Sequence, residues 1–164
     1  MARARASPGW RMTTEFSLNA TAREMSVRAL LADTRARLRA HGLAEAMCGT
    51  VEIVLAEALN NIVEHAYAGT EAGEIGLHAV LGPGTLTFTL SDQGAPLAAR
   101  DLPAGCLPDL GTGGEALPEG GFGWFLIRSL TREVRYHRAD GANRLSLRFD
   151  LPVPDGTGRP TAPP

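Results

Sequence analysis

Lysine is missing from all 164 residues: the 16 basic side chains are arginines, set against 18 Asp and Glu. That absence excludes a Walker A loop, which needs Gly-Lys-Ser/Thr, and the strand lysine of eukaryotic-type protein kinases. It also excludes Schiff-base chemistry and a lysine general base. Any phosphate handled by this chain must be held by backbone N–H groups, arginine or a metal ion. Cysteine is scarce, and Cys48 and Cys106 form neither a disulfide framework nor a metal-ligand cluster. Cys48 lies in an apolar helical pattern and reads as a small buried hydrophobe. No apolar run approaches the ~20 residues of a membrane span. A net charge of −2 gives no global pull towards nucleic acid or an anionic membrane, so neither is expected as a partner. Met1–Arg11 is basic but leads into no apolar export segment, which makes a cytoplasmic location the default expectation.

What is present suits one domain. At this length a single core buries roughly 70% of the surface that the unfolded chain exposes. The domain is expected over residues 13–151, between a disordered N-terminal arm (1–12) and a disordered Pro/Gly-rich tail (152–164). Thr13–Ala20 alternates Phe16 and Leu18 with polar neighbours, predicting a short strand. Thr21 and Glu24 have capping-box spacing, which predicts a helix opening at Thr21 and stopping at Gly42. A second helix is expected from about Leu43 to Tyr67, with Met47, Val51, Val54, Leu55, Ala58, Leu59 and Ile62 on its core face. Glu74–Leu81 and Thr85–Ser91 form a hairpin through Gly82-Pro83-Gly84. Periodicity then disappears over a Gly-rich stretch of about residues 97–119, long enough to suggest a lid. A short helix, Gly123–Arg132, precedes a last hairpin, Glu133–Arg138 and Arg144–Leu151, which turns at Asp140-Gly141. The order β-α-α-β-β-lid-α-β-β predicts an α+β two-layer α/β sandwich with its helices on one side of the sheet.

Three constellations carry chemistry. On the second helix Glu57, Asn61 and Glu64 fall within about 60° of one another at 100° per residue. Such a stripe either holds a hydrated divalent cation or a water, or is a solvated polar face. Asp92-Gln93-Gly94-Ala95-Pro96 follows a buried strand directly. Asp92 there either accepts a hydrogen bond from an exocyclic amine, with Gly94 letting a flat ring approach, or closes a simple Asp-x-Gly turn. In Glu119-Gly120-Gly121-Phe122-Gly123-Trp124 a Gly cluster runs into an apolar helix, presenting N–H groups beside a positive helix end as a phosphate cradle. A flexible linker would explain the glycines but not the immediate switch to aromatics.

In this order the three motifs resemble the GHKL ATPase superfamily of gyrase, chaperones, histidine kinases and MutL. Asn61-x-x-x-His65-Ala66-Tyr67, Asp92-x-Gly94-x-Pro96 and Gly120-Gly121-x-Gly123-Trp124-x-Leu126-Ile127 are similar to the anti-sigma-factor serine kinases of the RsbW/SpoIIAB type. The resemblance implies a Bergerat fold with a mixed antiparallel sheet, binding ATP and Mg²⁺ beneath a lid. By motif, Asn61 would be the side-chain ligand of Mg²⁺ and Glu57 the general base for an incoming serine hydroxyl. Asp92 would take the adenine amino group, with Gly94 beside the base. Gly120, Gly121 and Gly123 would meet the phosphates. His65 is expected among the cofactor-binding groups, either as a helix-packing residue or as one that supports a ligand-binding side chain, rather than as a catalyst, and Arg128 either reaches a phosphate or faces solvent. The implied activity is an ATP-dependent serine kinase and anti-sigma factor in a partner-switching system. Its expected substrate is a STAS-domain antagonist, its other partner a sigma factor or other effector, and its own state a homodimer.

Two other readings share these motifs. One is an ATP-binding module that sequesters a partner without kinase activity; a degenerate module would be expected to lose Glu57, Asn61 or the Gly cluster, and all are kept. The other is the catalytic domain of a histidine kinase. The segment before Glu57 is too short for a phosphoacceptor hairpin, and Glu64 stands where histidine kinases commonly carry Lys. A Phe frequent in relatives soon after the Asp-x-Gly-x-Pro segment is missing, with Leu97 following directly and then Ala98-Ala99-Arg100, and Pro103–Glu119 has no recognisable family sequence.

Overall fold

Alternating inward hydrophobes build the sheet. The computed structural model describes residues 13–97 and 121–152, so the expected arm, the expected lid apart from Leu97, the expected tail apart from Pro152, and Gly120 lie outside the described residues. The strands are β1 (Thr14–Thr21), β2 (Glu74–Gly82), β3 (Thr85–Asp92), β4 (Glu133–Ala139) and β5 (Ala142–Asp150). They form one five-stranded sheet in the order β1-β2-β3-β5-β4, and all four pairings are antiparallel. Ile75, Leu77, Ala79 and Leu81 of β2, Leu86, Phe88 and Leu90 of β3, and Leu145, Leu147 and Phe149 of β5 are buried on one face. Phe88 and Phe149 meet edge-to-face at 6.1 Å in the middle of that face. The partners between them, such as Ser17, His78, Thr89 and Ser146, stand on the other face, as expected when an antiparallel sheet has one packed side. The last hairpin turns through Asp140 and Gly141, both at positive φ (51° and 78°), the geometry of a two-residue type I′ turn.

Helices α1 (Glu24–Ala40), α2 (Glu45–Asn61) and α3 (Gly121–Leu130) share one core with the apolar face of the sheet. The expected stop of α1 is correct in detail. Gly42 takes φ +84°, its N–H bonds the Arg39 carbonyl, and the Leu43 N–H bonds Leu38, closing a Schellman motif. The expected start is not. Thr21 is still paired with Glu74 in the sheet, Arg23 is the N-cap, and no side chain caps the helix. Pairing with β2 keeps Thr21 extended and so displaces the capping box.

α2 runs without interruption into a π-helical turn, Ile62–Ala66. The resulting 22-residue helix contains an 18-residue window with a mean hydropathy of 1.3, long and apolar enough to cross a membrane by those measures. Its apolar stripe, Val51, Val54, Leu55, Ala58 and Leu59, is instead buried in the core. Cys48 is buried beside that stripe, and burial pushes its thiol above the ordinary range, consistent with a packing role. At the outer surface Arg35 binds Glu45 and Glu52, and its hydrogen bond holds the Glu45 carboxyl below the usual carboxylate range.

Candidate functional site

The π turn shapes the site. Widening the helix after Asn61 changes the angular step, so the polar stripe expected from an ideal helix splits. Asn61 and His65 line a cavity of about 290 Å³, whereas Glu64 lines the groove between α1 and α2 beside Asn60 and Arg28. The expectation that Glu64 shares a face with Asn61 is therefore corrected: a wider turn carries it away. His65 is exposed on the cavity wall, not packed inside the helix layer.

The turn also anchors the segment after β3. The Ala66 carbonyl accepts the Ala95 N–H at 2.7 Å. A Cβ on Gly94 would lie 2.4 Å from that carbonyl oxygen and 2.7 Å from its carbon. Both are backbone atoms held by the helix, so contact with Ala66 by itself requires glycine at position 94. The Tyr67 hydroxyl accepts the Gln93 N–H at 3.1 Å and donates to the Glu74 carbonyl at 3.3 Å, tying the same segment to β2. We predict that Gly94→Ala destabilises the domain by about 1–3 kcal/mol, the usual cost of overpacking, readable as a lower urea midpoint. An unchanged midpoint would contradict the close approach.

Asp92 ends β3 buried at 6% exposure and lines the cavity. Its Oδ1 accepts the Gly94 N–H at 2.8 Å and the Asn143 Nδ2 at 2.8 Å. The Asp-x-Gly turn therefore exists, and it occupies one carboxylate oxygen; among the described residues no group donates to Oδ2. Asn143 also donates to the Ala95 carbonyl at 2.9 Å and accepts from the Tyr136 hydroxyl at 2.7 Å and from Arg138. Tyr136 in turn accepts the Leu97 N–H at 3.1 Å. Around these polar groups the wall is apolar: Ala58, Ile62, Leu97, Trp124 and Leu145. A flat, mostly apolar ring with one amino group matches such a surface.

The third motif meets the first. α3 begins at Gly121, two residues earlier than its periodicity predicts, so Gly121 and Gly123 occupy its first turn, where N–H groups lack intrahelical partners. A Cβ on Gly123 would lie 2.5 Å from Glu57 Oε2, which puts the half-buried Glu57 carboxylate against the positive end of α3. One turn along α2, the Asn61 Nδ2 is buried with no hydrogen-bond partner among the described residues. An orphaned amide on a cavity wall is costly unless a ligand completes it. No cluster of three or more His, Cys, Asp or Glu among the described residues can hold a metal alone. The Asn61 amide oxygen would suit Mg²⁺, which keeps waters and shares substrate phosphates with one or two side chains, while the orphaned Nδ2 is a donor and would suit a phosphate oxygen. Arg128 is half-buried, with its Nε unpartnered among the described residues.

Asn143, Tyr136 and Arg138 were not among the residues singled out from sequence. For Asn143 a signal was there: it is the polar member of the inward series Asn143, Leu145, Leu147, Phe149. A buried asparagine at the end of an apolar alternation has to satisfy both ends of its amide.

The chain matches the family model described as a histidine kinase-like ATPase domain over residues 20–149. It belongs to that family. Among curated proteins it is similar to the serine-protein kinase RsbW of Listeria monocytogenes, 31% identical over 101 residues, or 60% of this chain and 64% of that protein. The RsbW of Bacillus licheniformis is 29% identical over 100 residues, covering 60% of this chain and 62% of the relative. The matches thus span less than two thirds of these relatives. Among solved structures, the RsbU and RsbW domains of Rv1364c from Mycobacterium tuberculosis superpose with a TM-score of 0.60 at 19% identity, over 85% of this chain and 34% of that one. That likeness establishes the shared GHKL-type α+β fold.

Proposed function

We propose that this protein is an ATP-dependent protein-serine kinase that also sequesters its target in a cytoplasmic partner-switching system. The observation that carries the reading is the meeting of Glu57, Asn61 and the first turn of α3 near a cavity that also holds Asp92. Adenine occupies the cavity with its amino group on Asp92. The N–H groups of Gly121 and Gly123, with Gly120 assigned to the same cradle, meet the phosphates. The Asn61 side chain, together with the phosphates, would hold Mg²⁺, which would supply charge neutralisation for the transferred group. Glu57 accepts the proton of an incoming serine hydroxyl as its oxygen bonds to the γ-phosphorus. The bond to the β–γ bridging oxygen breaks, and ADP leaves.

The similarity to RsbW serine-protein kinases supports serine as the acceptor. We infer that the substrate is a STAS-domain antagonist, that a sigma factor or other effector is the competing partner, and that the protein works as a homodimer. The test is radiolabel transfer from [γ-³²P]ATP with Mg²⁺ to a STAS-domain protein encoded nearby. Label on one serine of that protein is expected. ATP binding without transfer to any such protein would favour a sequestering module instead.

A further inference from the structure

We propose that Asn143 is a positioning residue that makes the pocket selective for adenine, through a polar relay from Arg138 and Tyr136 to Asp92. The inference deepens the ATP reading and rests on it. Asn143 on β5 pairs in register with Asp92 on β3, and both side chains are buried on the helix-facing side of the sheet. The orientation of the Asn143 amide is set by its neighbours. At one end stand a guanidinium, Arg138 Nη1, and the Tyr136 hydroxyl; at the other stand Asp92 Oδ1, the Ala95 carbonyl at 2.9 Å and the Gly94 carbonyl at 3.4 Å. A guanidinium only donates and carbonyls only accept, so Oδ1 must face Arg138 and Nδ2 must face the pocket. The flipped amide would oppose NH₂ to a cation and a carbonyl to three oxygens. Arg138 also donates to the Gly94 carbonyl at 2.9 Å, holding the segment on which Asp92 turns.

The locked amide dictates what Asp92 offers a ligand. Two donors, Asn143 Nδ2 and the Gly94 N–H, saturate Oδ1, which pins the carboxylate plane. Oδ2 is left as an acceptor without a donor among the described residues. A purine with an amino group at that position can donate to it. A purine with a keto oxygen there opposes acceptor to acceptor, and one with only hydrogen covers that oxygen without giving it a donor. Without Asn143 only the Gly94 N–H still holds Oδ1, the carboxylate plane is no longer pinned from two sides, and the preference for an amino group weakens.

Calorimetric titration with ATP and with purine riboside triphosphate, which lacks only the 6-amino group, tests this. Wild type should prefer ATP by about tenfold or more, the scale of a hydrogen bond to a charged group. Asn143→Ala should bring the two affinities within about threefold, chiefly by weakening ATP. Arg138→Ala, at an exposed edge-strand position that leaves the core intact, should reduce the ratio by a smaller factor because Tyr136 still holds the amide. If Asn143→Ala weakens both nucleotides equally, or leaves the ratio at its wild-type value in a folded protein, Asn143 has no selective role and the proposal is wrong. If Asn143→Ala does not fold, an undiminished ratio in Arg138→Ala overturns it. A wild type that binds neither nucleotide overturns the ATP reading itself.

Discussion

Replacing Glu57 with alanine is expected to lower phosphoryl transfer by about 10²–10⁴-fold, the range removed with a positioned general base, while the affinity for ATP changes by less than about threefold. The two effects separate because of where Glu57 stands. Its carboxylate lies against Gly123 at the start of α3, whereas the residues lining the base cavity on α2 are Ala58, Asn61 and Ile62. Truncating Glu57 leaves that cavity wall unchanged and removes an anion from beside the phosphate site, a change that does not weaken an anionic ligand. Single-turnover transfer paired with calorimetric binding measures both quantities. Transfer at the wild-type rate would refute the base assignment, and a parallel loss of binding would show that Glu57 holds the nucleotide instead.

The second large effect concerns Asn61 and runs in opposite directions for binding and stability. Asn61→Ala is expected to weaken ATP·Mg²⁺ binding by at least about tenfold, the loss of a metal-holding side chain, and to abolish transfer. Its effect on folding should be neutral or favourable. The Asn61 Nδ2 is a buried donor without a partner among the described residues, and such a group costs about 1–3 kcal/mol in the unliganded protein. Alanine removes that cost and, at a helix position, adds propensity. An ordinary packing residue would lose stability when truncated. Thermal unfolding of the free protein, together with titration in the presence and absence of Mg²⁺, reads both effects. A variant that is markedly less stable than wild type would identify Asn61 as structural.

The elements legible in the sequence are those set by local pattern. Leu38-to-Leu43 chemistry ended α1 at Gly42, and the Asp140-Gly141 turn followed from its two residues. The motif residues Glu57, Asp92 and Gly123 were also visible, because each carries unusual chemistry for its place. What was hidden depended on distant neighbours. Thr21 has the spacing of a cap, yet hydrogen bonding to β2 keeps it extended. Glu64 falls on the Asn61 face of an ideal helix, and only the π turn moves it to the α1 groove. Gly94 invites a role beside a ligand ring, but the Ala66 carbonyl already explains it. The relay of Arg138, Tyr136 and Asn143 joins residues from a hairpin to an aspartate about fifty positions earlier, a distance that no periodicity spans.

Without lysine, the proposed kinase has to hold nucleotide phosphates with helix N–H groups and with Mg²⁺ on Asn61. Calorimetric titration of the full chain with ATP, with and without Mg²⁺, tests it most directly. The account predicts saturable binding that weakens at least about tenfold when Mg²⁺ is chelated, and the same weakening in Asn61→Ala without chelator. Binding of equal strength with and without Mg²⁺, or none at millimolar ATP, would contradict it.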